Sequence, residues 1–205
     1  MINYFFTSPL SFLIWVASLL VAISIHECAH AWMADRLGDP TARLAGRLTL
    51  NPLAHLDPIG TLMLLIFRFG WGKPVPIDPY NLRNPRRDAA VISLAGPASN
   101  LLFAAALAII IRVFNLTFLT PLIILSVFLG IFNLIPVHPL DGGKIITGFL
   151  PHNLAQSFDE ILQDYGLIII IFLLFPFFGT SPINLILSPI VSLLLAILLP
   201  GTPLV

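Results

Sequence analysis

No residue between Ser8 and Ile25 is charged, and the apolar pattern continues beyond them through a His-Glu cluster to Leu37. Ser8-Pro9 marks the predicted start of a helix, with serine as N-cap and proline at the first helical position. Leu37-Gly38-Asp39-Pro40 marks its end, because Gly38 can adopt the left-handed cap and Pro40 blocks continuation. Such a helix has about 29 residues and a length of ~43 Å at ~1.5 Å per residue. It is long enough to cross a bilayer with overhang or tilt. Residues 89–111 form a second uncharged run, closed by Arg112. Residues 113–137 form a third, broken near its end by Asn133 and Pro136. A fourth and a fifth follow at 165–178 and 182–199, and their prolines predict irregularity. Ile59 to Phe67 is apolar but falls short of the ~20 residues a span needs, so it reads as re-entrant or interfacial.

The expected fold is an all-α polytopic membrane protein with about five transmembrane helices. A re-entrant or interfacial segment carrying short β-strands is expected between the first two spans. A single domain over 1–205 is expected, with a catalytic core at 9–150 and a C-terminal helical hairpin at 160–199. Composition agrees with lipid as the solvent. The chain is 58% hydrophobic and 10% charged, against roughly a quarter charged in ordinary soluble domains. A formal net charge of zero gives no electrostatic case for nucleic acid. The single cysteine, Cys28, cannot form an internal disulfide. The N-terminus lacks a basic region and a small-residue cleavage site, and so reads as retained.

Eight of the ten Lys/Arg residues lie between Arg36 and Arg87. By the positive-inside rule this segment is cytoplasmic. The expected location is the cell membrane, multi-pass, with the His-Glu cluster at the inner end of span one. The same rule brings Leu140-Asp141-Gly142-Gly143, at the end of span three, to that side.

The cluster is His26-Glu27-Cys28-Ala29-His30. Two histidines four apart project from one helix face about one turn apart, a spacing that can grip one metal ion. Neutral imidazoles suit zinc, and a third protein ligand with an open water position makes a zinc site catalytic. Glu27 flanks such an ion and can act as general base on zinc-bound water. A chance HExxH match is common in soluble helices. In a membrane helix, however, each buried charge costs ~2.5–3.5 kcal/mol, and a bound cation accounts for three ionisable groups together. His55, Asp57, His138, Asp141 and His152 are the candidates for third ligand. Asp141 is preferred because it ends the third span on the correct side and precedes two glycines. It could instead, or also, cap a helix beginning near Lys144.

These residues resemble the site-2 protease family of intramembrane zinc metalloproteases, in its compact form. The likeness rests on the HExxH cluster together with Asn133-Leu134-Ile135-Pro136-Val137-His138-Pro139-Leu140-Asp141-Gly142. Gly46 to Pro52, His55 to Thr61 and Gly72 to Pro76 look like the loop of bacterial and archaeal members. Ala95-Gly96-Pro97-Ala98-Ser99-Asn100 looks like the family's second-helix motif. The resemblance covers about residues 10 to 150 and leaves the last two spans unmatched. It implies one Zn²⁺ per chain held by His26, His30 and Asp141, with Glu27 as the catalytic carboxylate. It also implies a membrane-spanning protein substrate cut near the cytoplasmic side. The PDZ or CBS domains of many relatives find no room in these residues.

Further roles follow as expectations. Arg47, Thr49 and Asn51 lie in an alternating stretch that could act as a substrate-edge strand, or as an ordinary turn. Asn100 and Asn133 could polarise the scissile carbonyl or brace the zinc water, or could form interhelical hydrogen bonds. Cys28 points away from the metal. His55 and His138 are loop or supporting residues, and His152 is solvated. Arg83, Arg86 and Arg87 suit anionic lipid headgroups. The competing function is a membrane metal-binding or transport protein using the same histidines. The last two spans argue against it, because they contain no ionisable residue after Tyr165.

Overall fold

A computed structural model describes residues 8–67, 72–176 and 179–199. Helix α1 (Pro9–Leu37) has 29 residues, with Pro9 in its first turn. It ends at Gly38, whose φ of 108° only glycine adopts without strain. A short turn of helix, α2 (Thr41–Leu44), follows. Helix α3 (Pro58–Phe67) starts where Asp57 Oδ1 accepts the amide of Gly60 at 2.7 Å. Helix α4 (Pro85–Phe114) has 30 residues and contains Pro97. Helix α5 (Thr120–Asn133), α6 (Asp141–Phe149), α7 (His152–Leu174) and α8 (Pro182–Leu198) complete the order.

The span count differs from the expected five. Among the described residues, two helices, α1 and α4, are long and apolar enough to cross a membrane. The third expected span is interrupted: Asn115 takes a left-handed φ of 55° and ends α4, and the chain re-enters helix only at Thr117. From Thr117 to Asn133, and again from Pro182 to Leu198, the helical rise gives ~25 Å at ~1.5 Å per residue. That falls short of a ~30 Å hydrocarbon core. The fourth expected span is the apolar later part of α7, whose earlier part carries Asp159, Glu160 and Asp164.

The expected short strands are also absent from the described residues. Segment 47–51 has no ladder partner, and an isolated bridge joins Leu56 to Gly72. Local side-chain bonds take the place of a ladder here. The Thr49 hydroxyl accepts the Asn51 amide at 3.1 Å, and the Asn51 side chain accepts the Leu53 amide at 3.1 Å, capping a 3-10 turn at Pro52–Ala54. Arg47 turns inward and donates its guanidinium to the Lys73 carbonyl. The substrate-edge reading of Arg47, Thr49 and Asn51 therefore lacks its strand.

Helix α4 is central: α1, α5 and α6 all pack on it, while α7 packs on α6 and α8 on α5. The main core is built largely from small and branched residues, among them Ala22, Ala104, Ala108, Ile123 and Val127. Alanines let the helix backbones approach closely, as helix pairs in lipid require. Outward, α4 exposes Leu102 at 71% and α7 exposes Leu167 at 65%. Large apolar side chains around the rim suit hydrocarbon rather than water. Beyond the end of α1, Asp39 is fully buried and ties loops together. It accepts the backbone amides of Thr41 (3.0 Å) and Asp78 (2.7 Å) and the Asn81 side chain (3.0 Å). Burial alone would raise its pKa. The Thr41 and Asn81 side-chain bonds and the two backbone bonds outweigh that and hold the carboxyl below its ordinary value.

Candidate metal centre

His26 and His30 sit on the face of α1 turned towards α4, at 4% and 7% exposure. Their rings meet edge to face, with centroids 4.6 Å apart. Asp141 is the first residue of α6, and its Oδ2 lies 3.0 Å from His26 Nε2 and 3.2 Å from His30 Nε2. A helix does begin here, at Asp141 rather than near Lys144, and its N-cap is Leu140 with no side-chain cap bond. The Asp141 carboxylate is thus directed at the histidines. Gly142 permits this placement, since a Cβ there would stand 2.3 Å from the Ile135 carbonyl.

The donor set fits zinc. One ligand atom from each of the three residues lies within 4.8 Å of the others. Ligands at ~2.0–2.1 Å on a tetrahedral ion stand about 3.3 Å from one another, close to the two separations found here. His30 Nδ1 donates to the Ile92 carbonyl at 2.7 Å, a bond that fixes the tautomer and leaves the Nε2 lone pair for a metal. Gly96 of α4 forms the floor: a Cβ there would lie 2.4 Å from His30 Nε2 and 2.7 Å from His26 Nε2. Any side chain at that position would occupy the space between the ligands. Neither spacing nor polarity marks Gly96 in the sequence, although its neighbour Pro97 flags an unusual point in a helix.

Glu27 is half-buried beside the histidines, and its Oε1 is 3.9 Å from where a Cβ of Gly72 would sit. No side chain or backbone amide among the described residues hydrogen-bonds it. The segment opposite is pinned by Arg47 to the Lys73 carbonyl and by the Lys73 amide to the His55 carbonyl at 2.9 Å.

The other expected residues are not among the three donors. His55 is fully buried and its Nε2 meets the Thr49 carbonyl at 2.8 Å. Asp57 caps α3. His138 pairs with Asp159 at 2.9 Å, joining the loop before α6 to α7. His152 is exposed and stands 3.3 Å from Arg86. Asn133 donates to the Leu129 carbonyl of its own helix at 3.0 Å. Asn100 is fully buried one turn beyond Gly96. Cys28 is a free, half-buried thiol.

A helical membrane scaffold bearing two imidazoles, one carboxylate and an adjacent glutamate without a hydrogen-bond partner among the described residues defines the class: a zinc-dependent hydrolase centre. Residues 112–175 match the family model described as Peptidase family M50. The chain is 36% identical over 180 residues to YwhC of Bacillus subtilis, covering 80% of this chain and 82% of that protein. It is 30% identical over 181 residues to Rip2 of Mycolicibacterium smegmatis, covering 80% and 68%. Both carry zinc metalloprotease in their names, as does MJ0392 of Methanocaldococcus jannaschii, 25% identical over 185 residues. No solved structure matches the chain with significance. The chain belongs to peptidase family M50, the site-2 proteases, and is a zinc metalloprotease of the membrane.

Proposed function

We propose that His26, His30 and Asp141 hold one zinc ion per chain, and that Glu27 drives hydrolysis of peptide bonds within membrane-spanning protein substrates. The observation that carries this reading is the meeting of three buried or half-buried donor groups from helices far apart in sequence, with a carboxylate beside them that has no hydrogen-bond partner among the described residues. When bound, zinc supplies a Lewis acid that lowers the pKa of water to ~7. Glu27, which no hydrogen bond ties among the described residues, would take the proton of the attacking water and return it to the departing amide nitrogen. The carboxyl groups of Asp141 and Glu27 could together offset a divalent charge in a low-dielectric setting.

Depth supports a membrane-spanning substrate. His26 lies ~16 Å from the Leu37 end of α1 at ~1.5 Å per residue, well inside the apolar stretch. Near that end the Arg36 guanidinium stands 5.3 Å from the Trp32 ring, a pair suited to the headgroup interface. A substrate helix hides its carbonyls in internal bonds, so it must unwind locally before attack. In this reading α1 and α4 both cross the membrane. The exposed Arg36, Arg43, Arg83, Arg86 and Arg87 support a cytoplasmic Leu37 end of α1 by the positive-inside rule.

Co-expression with candidate single-span proteins tests the function. Fragments that appear with the parent chain and vanish with Glu27→Gln are expected. Fragments that persist with Glu27→Gln overturn the role of Glu27.

A further inference from the structure

His30 has a partner for its second ring nitrogen, and His26 has none: its Nδ1 is buried and makes no hydrogen bond within the described structure. A histidine that offers Nε2 to a metal carries its proton on Nδ1, and that N–H is nearly always held by an acceptor. Two other side chains in the helical core share this condition. Both amide atoms of Asn100 and the hydroxyl of Ser126 are buried without a partner, at 0% exposure for each residue. Unmet polar groups of this kind are costly in an apolar interior.

Helical register brings His26 and Asn100 to neighbouring levels and sets Ser126 within about one turn of them. Helices α1 and α4 run antiparallel, since His30 meets Ile92, Gly96 faces both histidines, and Ala22 shares the core with Ala104. Moving one turn along α1 from His30 to His26 therefore corresponds to moving along α4 from Gly96 towards Asn100. Asn100 follows Gly96 by four residues and shares its face. On α5, Gly130 abuts the Pro97 carbonyl and Leu101, and Ser126 lies one turn from Gly130 towards the start of α5. The four orphaned atoms comprise one ring nitrogen, two amide atoms and one hydroxyl, the two to four polar partners a buried water requires.

We infer that Asn100 is a positioning residue for the zinc ligand His26. Its Oδ1 accepts the Nδ1 proton of His26 through one buried water, and Ser126 orients the amide. This contact holds His26 in the tautomer that presents Nε2 to the ion, as Ile92 does for His30. The inference rests on the zinc site proposed above and concerns the side of His26 turned away from the metal.

Chelator competition on detergent-solubilised full chain, with zinc alone as the probe, tests it through Asn100→Leu, Asn100→Asp and Ser126→Ala. Asn100→Leu keeps the volume and removes the acceptor, and zinc affinity is expected to fall 10- to 100-fold. Asn100→Asp restores an acceptor and is expected to bind zinc more tightly than Asn100→Leu. A merely structural role predicts the reverse order, since a buried carboxylate is worse for packing than leucine. Ser126→Ala is expected to weaken zinc less than Asn100→Leu does. The visible absorption of the Co²⁺-loaded protein is expected to shift with Asn100→Leu and return towards the parent with Asn100→Asp. Parent affinity in Asn100→Leu overturns the inference, whether or not Asn100→Asp folds. Asp141→Ala is the separate control: zinc retained there defeats the metal site itself, and zinc lost there with Asn100→Leu unaffected defeats only the role of Asn100.

Discussion

Replacing Gly96 with alanine adds one methyl group to the floor of the metal centre. Its carbon would stand 2.4 Å from His30 Nε2, 2.5 Å from His30 Cε1 and 2.7 Å from His26 Nε2. Non-bonded heavy atoms settle at about 3.5–4.0 Å, so the two rings must withdraw by roughly 1 Å. Metal–ligand distances tolerate only about 0.2 Å. Overpacking a closed core costs about 1–3 kcal/mol, and here relief comes by pushing ligands off the ion. That strain then appears as lost zinc affinity, about 5- to 150-fold at ~1.4 kcal/mol per factor of ten. Chelator competition on the detergent-solubilised variant reads the affinity, and a thermal melt of the metal-free protein reads the fold. Parent affinity for zinc refutes the reasoning. So does a large loss of metal-free stability without loss of affinity, because α4 rather than the ligands would then have yielded.

Glu27→Gln is expected to retain stoichiometric zinc by metal analysis while losing roughly 10²- to 10⁴-fold in cleavage, the range for general-base removal. Arg47→Met is expected to lower cleavage by loosening the Lys73 segment opposite Glu27, at about 1.5–3 kcal/mol for a lost bond to a charged donor. Its zinc affinity, read by chelator competition, should stay at the parent value. Asp39 makes folding acid-sensitive. Its folded pKa is held below the ordinary carboxylate value, so its contribution is complete above the unfolded pKa and is lost as pH falls through the folded one. Melting midpoints of parent and Asp39→Asn, measured from pH 7 down to pH 3, should therefore converge at the acid end. A constant gap across that range contradicts the assignment.

Helices α1 and α4 were legible because each is built around a long uncharged run, with Pro9 and Gly38 marking the ends of the first and Arg112 near the end of the second. The spans that failed did so where hydropathy carries no information about backbone breaks. Asn115 looks ordinary in an apolar stretch, yet it takes the left-handed conformation and divides what reads as one span. The expected strand at 47–51 rested on alternation, and alternation lost to short-range capping by Thr49 and Asn51 and to the inward turn of Arg47. The juxtaposition of the three candidate donors, His26, His30 and Asp141, was legible from their ionisable character and position. Spacing joined His26 to His30, and charge bias brought Asp141 to the same side. Its place at the end of the third run favours Asp141 over His55, Asp57, His138 and His152, and the structure engages each of the other four elsewhere. Gly96 stood out only within a resemblance motif, and its role as the floor of the site could not be read because that role is the absence of a side chain.

X-ray absorption at the zinc edge, on full-length chain purified in detergent, reads the coordination shell most directly. The expected spectrum has four N/O ligands at ~2.0–2.1 Å, two of them imidazoles, from about one zinc per chain, and Asp141→Ala loses the metal. A sulfur neighbour at ~2.3 Å, which only Cys28 or a methionine could supply, contradicts the centre described here, as does an unchanged shell in Asp141→Ala.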